Sequence, residues 1–479
     1  MPGLGRRCLD GGLLQALAAA DVEAIHGGAL RILAGTGVVV HDAKVLSLLA
    51  GAGCRVTGED RRAYLPADVV EGAVGLAPGE VTLYDRLGAG AMALGSGRSH
   101  VRVSSGATGI LDLDDARRRP ATGQDAADAA RLADALPHID GMSTMAVQPA
   151  DVPANRVDVH ALRLALANTV KPLGYVCLNE ELLEPAIAMA AVVAGGEDAL
   201  RRRPFLTALA ESTSPLQLVS SQLAVLRAFA GRGLPLTLHA HPMAGFTAPV
   251  MLAGTLVVTH AEVLALVTIA QLIRPGTPVV YGMSSSVPDM RSGMNLSGAV
   301  EIGLMGTALA QLAGRCGLPC VLSSGSDAHS PGAQSVLERL LTLLPPVLAG
   351  VDLVNLSTLD TKMSFSLEQL VLDDLIASLV ARYLRGIAVD PESLAVSVID
   401  EVGPGGAFVT VDHTLRHFRS ELLVPDLLDR GGRSVWEQAG GPDLPARARE
   451  RVRRILAEHR PPPLSDQVAW QLDEIVASA

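Results

Sequence analysis

Aromatic side chains are scarce in this chain: six Phe, five Tyr and two Trp make up only 3% of 479 residues. The core must therefore be built from Leu, Val, Ala and Ile, and too few rings remain to favour a full aromatic cage around a ligand. Charge is also sparse, at 19% of residues, and the net charge of -11 gives no basic field for nucleic acid. Cys8, Cys54, Cys177, Cys316 and Cys320 are odd in number and never spaced CxxC, which argues against a disulfide framework and for a reducing cytoplasm. No segment approaches ~20 uninterrupted apolar residues, so no membrane span is expected. The start, "MPGLGRRCLDGGLLQALAAADVEAI", carries Asp10 and Asp21 in its apolar part and reads as an amphipathic helix rather than a signal peptide. With 49% apolar residues, the chain is folded and not disordered.

What is present is a repeated phrase. From about residue 100 to 387, eight short apolar runs, "SHVRVSSG", "HIDGMSTMAV", "PLGYVCLN", "PFLTALAES", "LPLTLHAH", "TPVVYGMSS", "LPCVLSSG" and "GVDLVNLS", alternate with helical patterns such as "GQDAADAARLADAL" and "SLEQLVLDDLIASLVARYL". Parallel strands need crossover helices, and eight such units close a ring. The expectation is an α/β fold, a TIM (β/α)8 barrel over 100–387. Residues 1–99 form an N-terminal α/β extension and 388–479 a helical C-terminal region packed on the barrel. A doubly wound open sheet is the alternative. The tail segment "ARARERVRRILAEH" suits a solvent-facing helix with acid and base pairs four residues apart.

In a barrel of this kind the chemistry sits on the loops that follow the strands. "LHAH" places His239 and His241 on one side of a strand end, a spacing that barrel metallohydrolases use. Asp327 and His329 in "SSGSDAHS" would complete such a site, but no HxxEH or CxxC companion supports it. Pocket histidines held by hydrogen bonds are the plainer reading, and no metal is assigned. The same loop lacks a GxSxG elbow for a serine nucleophile. "LGAGAMALGSGRSH" and "GPGGAF" lack the strand-GxGxxG-helix frame of a dinucleotide site. In "DHTLRHFR", His413 and His417 share a helix face beside Phe408 and Phe418, as pocket lining or as a packing face.

Four longer stretches, "HPMAGFTAPVMLAGTL", "PDMRSGMN", "EVGPGGAFVTVDHTLRHFRSELLVPDLLDR" and "AGGPDLPARARERVRRIL", closely resemble the trimethylamine methyltransferase family. The likeness is to its branch without pyrrolysine, which includes glycine betaine and related quaternary-amine methyltransferases. The resemblance implies a TIM barrel that passes a methyl group from a quaternary or N-methylated amine to the Co(I) centre of a separate corrinoid protein. It implies no cofactor bound in this subunit, since the cobalamin arrives on the partner. The trimethylamine enzymes carry pyrrolysine in the loop matching "SSGSDAHS", near Gly325 or Ser326, where this chain has small residues. A quaternary ammonium already carries the charge that lets a neutral amine leave, so positioning replaces acid-base chemistry. Asp327, His329 and Glu211 are expected at the reacting centre. Tyr84, Tyr175, Tyr281, Phe246, Phe365, Phe408 and Asp289 are candidates to hold the cation, and His239, His241, Arg291, His413 and Asn355 to hold a carboxylate. Arg291 has a plainer alternative in a bridge to Asp289 or Glu301. A cytoplasmic homo-oligomer is expected, and a metal-dependent barrel hydrolase or a non-catalytic quaternary-amine binder are the competing readings.

Overall fold

The computed structural model describes residues 14–479; Cys8 and most of the expected opening helix lie outside them, and the helix that follows spans Ala19–Gly35. Each of the eight apolar runs forms one strand of a closed parallel barrel. These are β1 (His100–Val103), β2 (Gly141–Ser143), β3 (Leu173–Tyr175), β4 (Leu206–Glu211), β5 (Leu236–Ala240), β6 (Val279–Met283), β7 (Cys320–Ser323) and β8 (Leu353–Leu356). They neighbour one another in chain order, and β8 closes on β1 with Asn355 opposite Arg102.

Between them run α1 (Gly123–Ala135), α2 (Val157–Asn168), α3 (Leu183–Ala194), α4 (Ser220–Arg232), α5 (Leu252–Ile273), α6 (Val300–Arg315), α7 (Ala333–Ala349) and, last, α8 (Leu367–Leu384). Local chemistry sets their starts: "TGQD" caps α1 reciprocally, with Thr122 and Asp125 each bonding the other's backbone N–H, and Ser366 caps α8. Helix α5 is apolar on all sides because it is covered twice, by the barrel beneath and by Ala19–Gly35 and Ala67–Val74 above. It is long and apolar enough to cross a membrane, yet 78% of its most apolar window is buried inside the protein.

The N-terminal extension does a second job at the far end of the barrel. A hairpin of Val81–Tyr84 and Gly90–Leu94 plugs the N-terminal mouth, where Val81, Leu83, Met92 and Leu94 pack on Val280, Val321 and Leu353. Only the C-terminal mouth, carrying the loops after the strands, is left for a ligand.

In the C-terminal region, helix Leu444–Glu458 packs on α8 and α1, and Asp466–Ser478 on α2 and α3. The basic residues of Leu444–Glu458 do not pair along their own helix as the sequence pattern suggests. Arg449 reaches Glu368 on α8 (3.1 Å), Arg451 reaches Asp426 (2.8 Å), and Arg453 reaches Asp114 (2.6 Å). Ala448 and Val452 are buried, so an apolar stripe and these bridges dock the helix.

Candidate active site at the barrel mouth

Inside the C-terminal mouth lies a cavity of about 250 Å³. A barrel interior is ordinarily filled by branched apolar side chains. Here the inward positions at mid-depth are small, and two large polar side chains lie across the space. Arg102, from β1, is buried; its Nε donates to Asn355 Oδ1 (2.9 Å) on β8 and its Nη1 to Thr207 Oγ1 (3.5 Å) on β4. A Cβ on Gly174 would stand 2.8 Å from Arg102 Nη1, so glycine is what admits the guanidinium. His239, from β5, lies over Gly282 in the same way, where a Cβ would meet its ring at 2.2 Å.

The charges are unbalanced. Among the described residues no acidic group offsets the burial of Arg102, and desolvation lowers its pKa to about 10. Lys362, on the loop after β8, reaches into the same cavity and donates to Ser323 Oγ (3.2 Å). Burial pulls its ammonium down to about 8, against the favourable charge of Glu211. Glu211 ends β4 and is the cavity's one carboxylate among the described residues. It is already paired, since His241 Nε2 stands 2.7 Å from its Oε2. Burial raises the Glu211 pKa, but the charge and hydrogen bond of His241 and the charge of Lys362 outweigh it and leave the pKa lowered. His239 is kept neutral, first by burial and then by the positive groups His241, Arg102 and Lys362. Its Nδ1 bonds Ser284 Oγ at 3.0 Å, while its buried Nε2 has no hydrogen-bond partner among the described residues. The cavity therefore holds two cations, one neutral imidazole and one imidazole-carboxylate pair.

A strained loop delivers Lys362. Asp360, Thr361 and Lys362 all have positive φ, at 49°, 54° and 73°, a conformation unfavourable for residues with a Cβ. Pairing with the loop after β7 offsets that strain: Asp360 N donates to Ala328 O and Thr361 N to Ser326 O, both at 3.1 Å. The Lys362 stem crosses Gly325, where a Cβ would stand 3.3 Å from Lys362 Cγ.

Of the candidates read from sequence, the structure gathers Glu211, His239, His241 and Asn355 around the cavity. Tyr175 borders it, but its ring stacks on Phe229 of α4 (centroids 6.3 Å apart) and faces the helix layer. The other candidates lie elsewhere. Tyr281 points outward from β6 to His260 of α5 (2.7 Å), because Val280 and Gly282 on either side of it face inward. Tyr84 belongs to the hairpin at the opposite mouth. Phe365 is buried in a small sheet beside Ile110. Phe246 stands on the rim, 57% exposed. Asp289 and Arg291 pair within their own turn at 3.1 Å, with the Arg291 side chain 92% exposed. Phe408 and His413 sit in the C-terminal region, where His413 bonds the Glu392 carbonyl. His329 is 91% exposed and paired with Asp360, which raises its pKa.

Asp327 is a backbone pin. It accepts hydrogen bonds from Ser297 N (2.8 Å), Ser297 Oγ (3.2 Å), Gly298 N (3.0 Å) and Thr361 Oγ1 (3.3 Å). The four residues of the imagined metal centre do not converge, since only His239 and His241 reach the cavity. Asp327→Ala is expected to cost about 3 kcal/mol of stability, from donors left unpaired. Urea unfolding measures this, and Asp327→Asn should retain more than half of the loss. A change below about 0.5 kcal/mol in the alanine variant would show that the two loops hold without the pin.

Sequence comparison agrees with the four motif stretches. The family model for trimethylamine methyltransferase (MTTB) matches residues 10–478. The chain is 35% identical over 424 residues to a glycine betaine methyltransferase of Desulfitobacterium hafniense, covering 88% of each. It is 33% identical over 425 residues to a trimethylamine methyltransferase of the same species, covering 88% of this chain and 85% of that one. Among solved structures, the monomethylamine methyltransferase of Methanosarcina barkeri aligns over 93% of both chains, at 12% identity and a TM-score of 0.49.

Proposed function

Because this chain belongs to the trimethylamine methyltransferase family, we propose that it demethylates a small quaternary amine carrying a carboxylate, a betaine, with a partner corrinoid protein as methyl acceptor. The observation that carries the substrate class is Arg102: a buried guanidinium with no carboxylate partner among the described residues is a site suited to one from the ligand. A cation without a carboxylate would enter a cavity whose own charge is net positive. A zwitterion places its carboxylate against Arg102 and Lys362 and its ammonium toward Glu211. The Co(I) corrinoid supplies the nucleophile for one methyl carbon, and the C–N electron pair stays on nitrogen, which leaves as a neutral amine.

No side chain need move a proton in that step. Val103, Met145, Val176, Leu178 and Leu209 line the remaining wall and exclude water, so the chain's contribution is orientation in a dry site. The rim loops expose Leu178, Phe246, Val250, Met251, Met290, Met294 and Met363. An apolar, methionine-rich collar suits a partner that presents a corrin ring. Segment 387–424 also leaves Ile387, Val389, Val409 and Val424 exposed, and we assign that face to contact between copies in a homo-oligomer. The thiols of Cys54, Cys177 and Cys316 are free, in keeping with a cytoplasmic setting.

The test is methylcobalamin formation from Co(I) cobalamin with glycine betaine, longer betaines, choline and trimethylamine. A betaine is expected to exceed choline, which shares the ammonium but lacks the carboxylate, by about 100-fold in kcat/KM. Equal rates with choline would refute the substrate class. Absence of methylcobalamin with every amine would refute methyl transfer and favour a binding protein.

A further inference from the structure

Away from the mouth, His26 of helix Ala19–Gly35, His260 of α5 and Cys316 at the end of α6 converge. Their imidazole nitrogens and thiol lie within 4.8 Å of one another. Both rings are buried, and His26 Nδ1 faces His260 Nε2 at 2.8 Å. Each ring is held from behind: His26 Nε2 meets Glu71 Oε1 at 2.8 Å, and His260 Nδ1 meets Tyr281 OH at 2.7 Å. Glu71 also lies 3.5 Å from Arg315. None of these groups borders the mouth cavity, and methyl transfer has no use for them.

We propose that His26, His260 and Cys316 form a binding site for a divalent transition-metal ion, zinc foremost, which ties the N-terminal extension to the barrel. Two imidazoles and a thiolate are a borderline-soft donor set that selects zinc over magnesium or calcium. The supporting groups are the ones such ligands use, a carboxylate or hydroxyl on the far nitrogen that fixes the tautomer and ring angle. Tetrahedral zinc, with Zn–N about 2.0 Å and Zn–S about 2.3 Å, holds its donors roughly 3.3 to 3.7 Å apart. The 2.8 Å contact between the rings therefore opens by about half an ångström on loading, and water completes the fourth position.

The protons balance. Without metal, one proton bridges the facing nitrogens, and the thiol is protonated because burial pushes its pKa up to about 12. On binding, His260 carries its proton on Nδ1, where the Tyr281 oxygen accepts it, His26 keeps Nε2–H on Glu71, and the Cys316 proton is released to solvent. Binding is thus stronger at higher pH.

The full chain, incubated with zinc at pH 8 and desalted, is expected to retain about one zinc per chain by elemental analysis. Cys316→Ser and His26→Gln should each lose it. His417→Ala, which breaks the half-buried Glu392–His413–His417 group, should not. Zinc should raise the melting temperature of the parent chain by several degrees and a chelator should reverse this, with no such shift in Cys316→Ser. Should either variant fail to fold, Co(II) titration of the parent chain must produce a thiolate-to-metal charge-transfer band. Retention of zinc by folded Cys316→Ser, no retention by the parent chain, or absence of that band would each overturn the proposal. Betaine turnover, read separately, decides the mouth cavity and not this site.

Discussion

Arg102→Met should lower kcat/KM for a betaine by two to three orders of magnitude while leaving the melting temperature unchanged or higher. The two effects have one cause. In the free protein the guanidinium is buried with Asn355 and Thr207 as its partners among the described residues, so the fold bears its desolvation without a compensating charge from them. Methionine is of similar length and removes that cost. In the complex the same guanidinium meets the substrate carboxylate, and truncating one partner of a buried charged pair costs about 2 to 5 kcal/mol, each 1.36 kcal/mol being tenfold in rate. A scaffold residue would behave oppositely, with stability falling and turnover following it. The discriminating control is choline, whose residual turnover should be unaffected or improved in Arg102→Met. Equal losses for both substrates would remove Arg102 from carboxylate recognition.

Arg102 also marks the limit of what the sequence makes legible. Its strand is legible in "SHVRVSSG", and the eight units were countable because apolar runs, Pro-marked strand entries and capping patterns are local signals. The direction of a side chain is less local. Alternation along the strand bears against Tyr281, a cation candidate from the sequence, since Gly282 and Ser284 share the face of the cavity and Tyr281 does not. A charged residue in the middle of an apolar strand run is the available sign for Arg102: it alternates onto the same face as Ser104, which lines the cavity. Lys362 left no such sign. It follows "NLSTLD" without periodicity, and its place depends on three left-handed residues whose strain is offset by a loop 34 residues away in sequence, through the contact of Asp327 with Thr361. Asp327 looked like chemistry because a carboxylate in a polar loop is equally suited to a ligand and to backbone amides. The structure gives it the amides.

That loop pairing makes Lys362 the more informative second target. Its ammonium has a pKa near 8 in the folded protein against 10.5 for an unperturbed lysine. Between those values the unfolded chain binds more protons than the native one, so Lys362 makes the protein more stable as pH rises from 8 toward 10.5. Betaine binding runs the other way. The carboxylate is held by the charged ammonium, so KM for a betaine should be flat below pH 8 and climb above it, while kcat changes little. Lys362→Met should raise KM at pH 7 by about 10- to 100-fold, the worth of a hydrogen bond to a charged group, and should abolish the rise above pH 8. The same variant leaves Glu211 with His241 as its remaining cationic neighbour. The Glu211 pKa then moves back up, and the weakening of the ammonium seat appears as an acid-side fall in kcat/KM nearer neutrality than in the parent enzyme. Profiles of kcat and KM from pH 5.5 to 9.5 separate the two limbs. A basic limb that survives in Lys362→Met would assign the titration to another group and leave Lys362 as a partner of Glu211 alone.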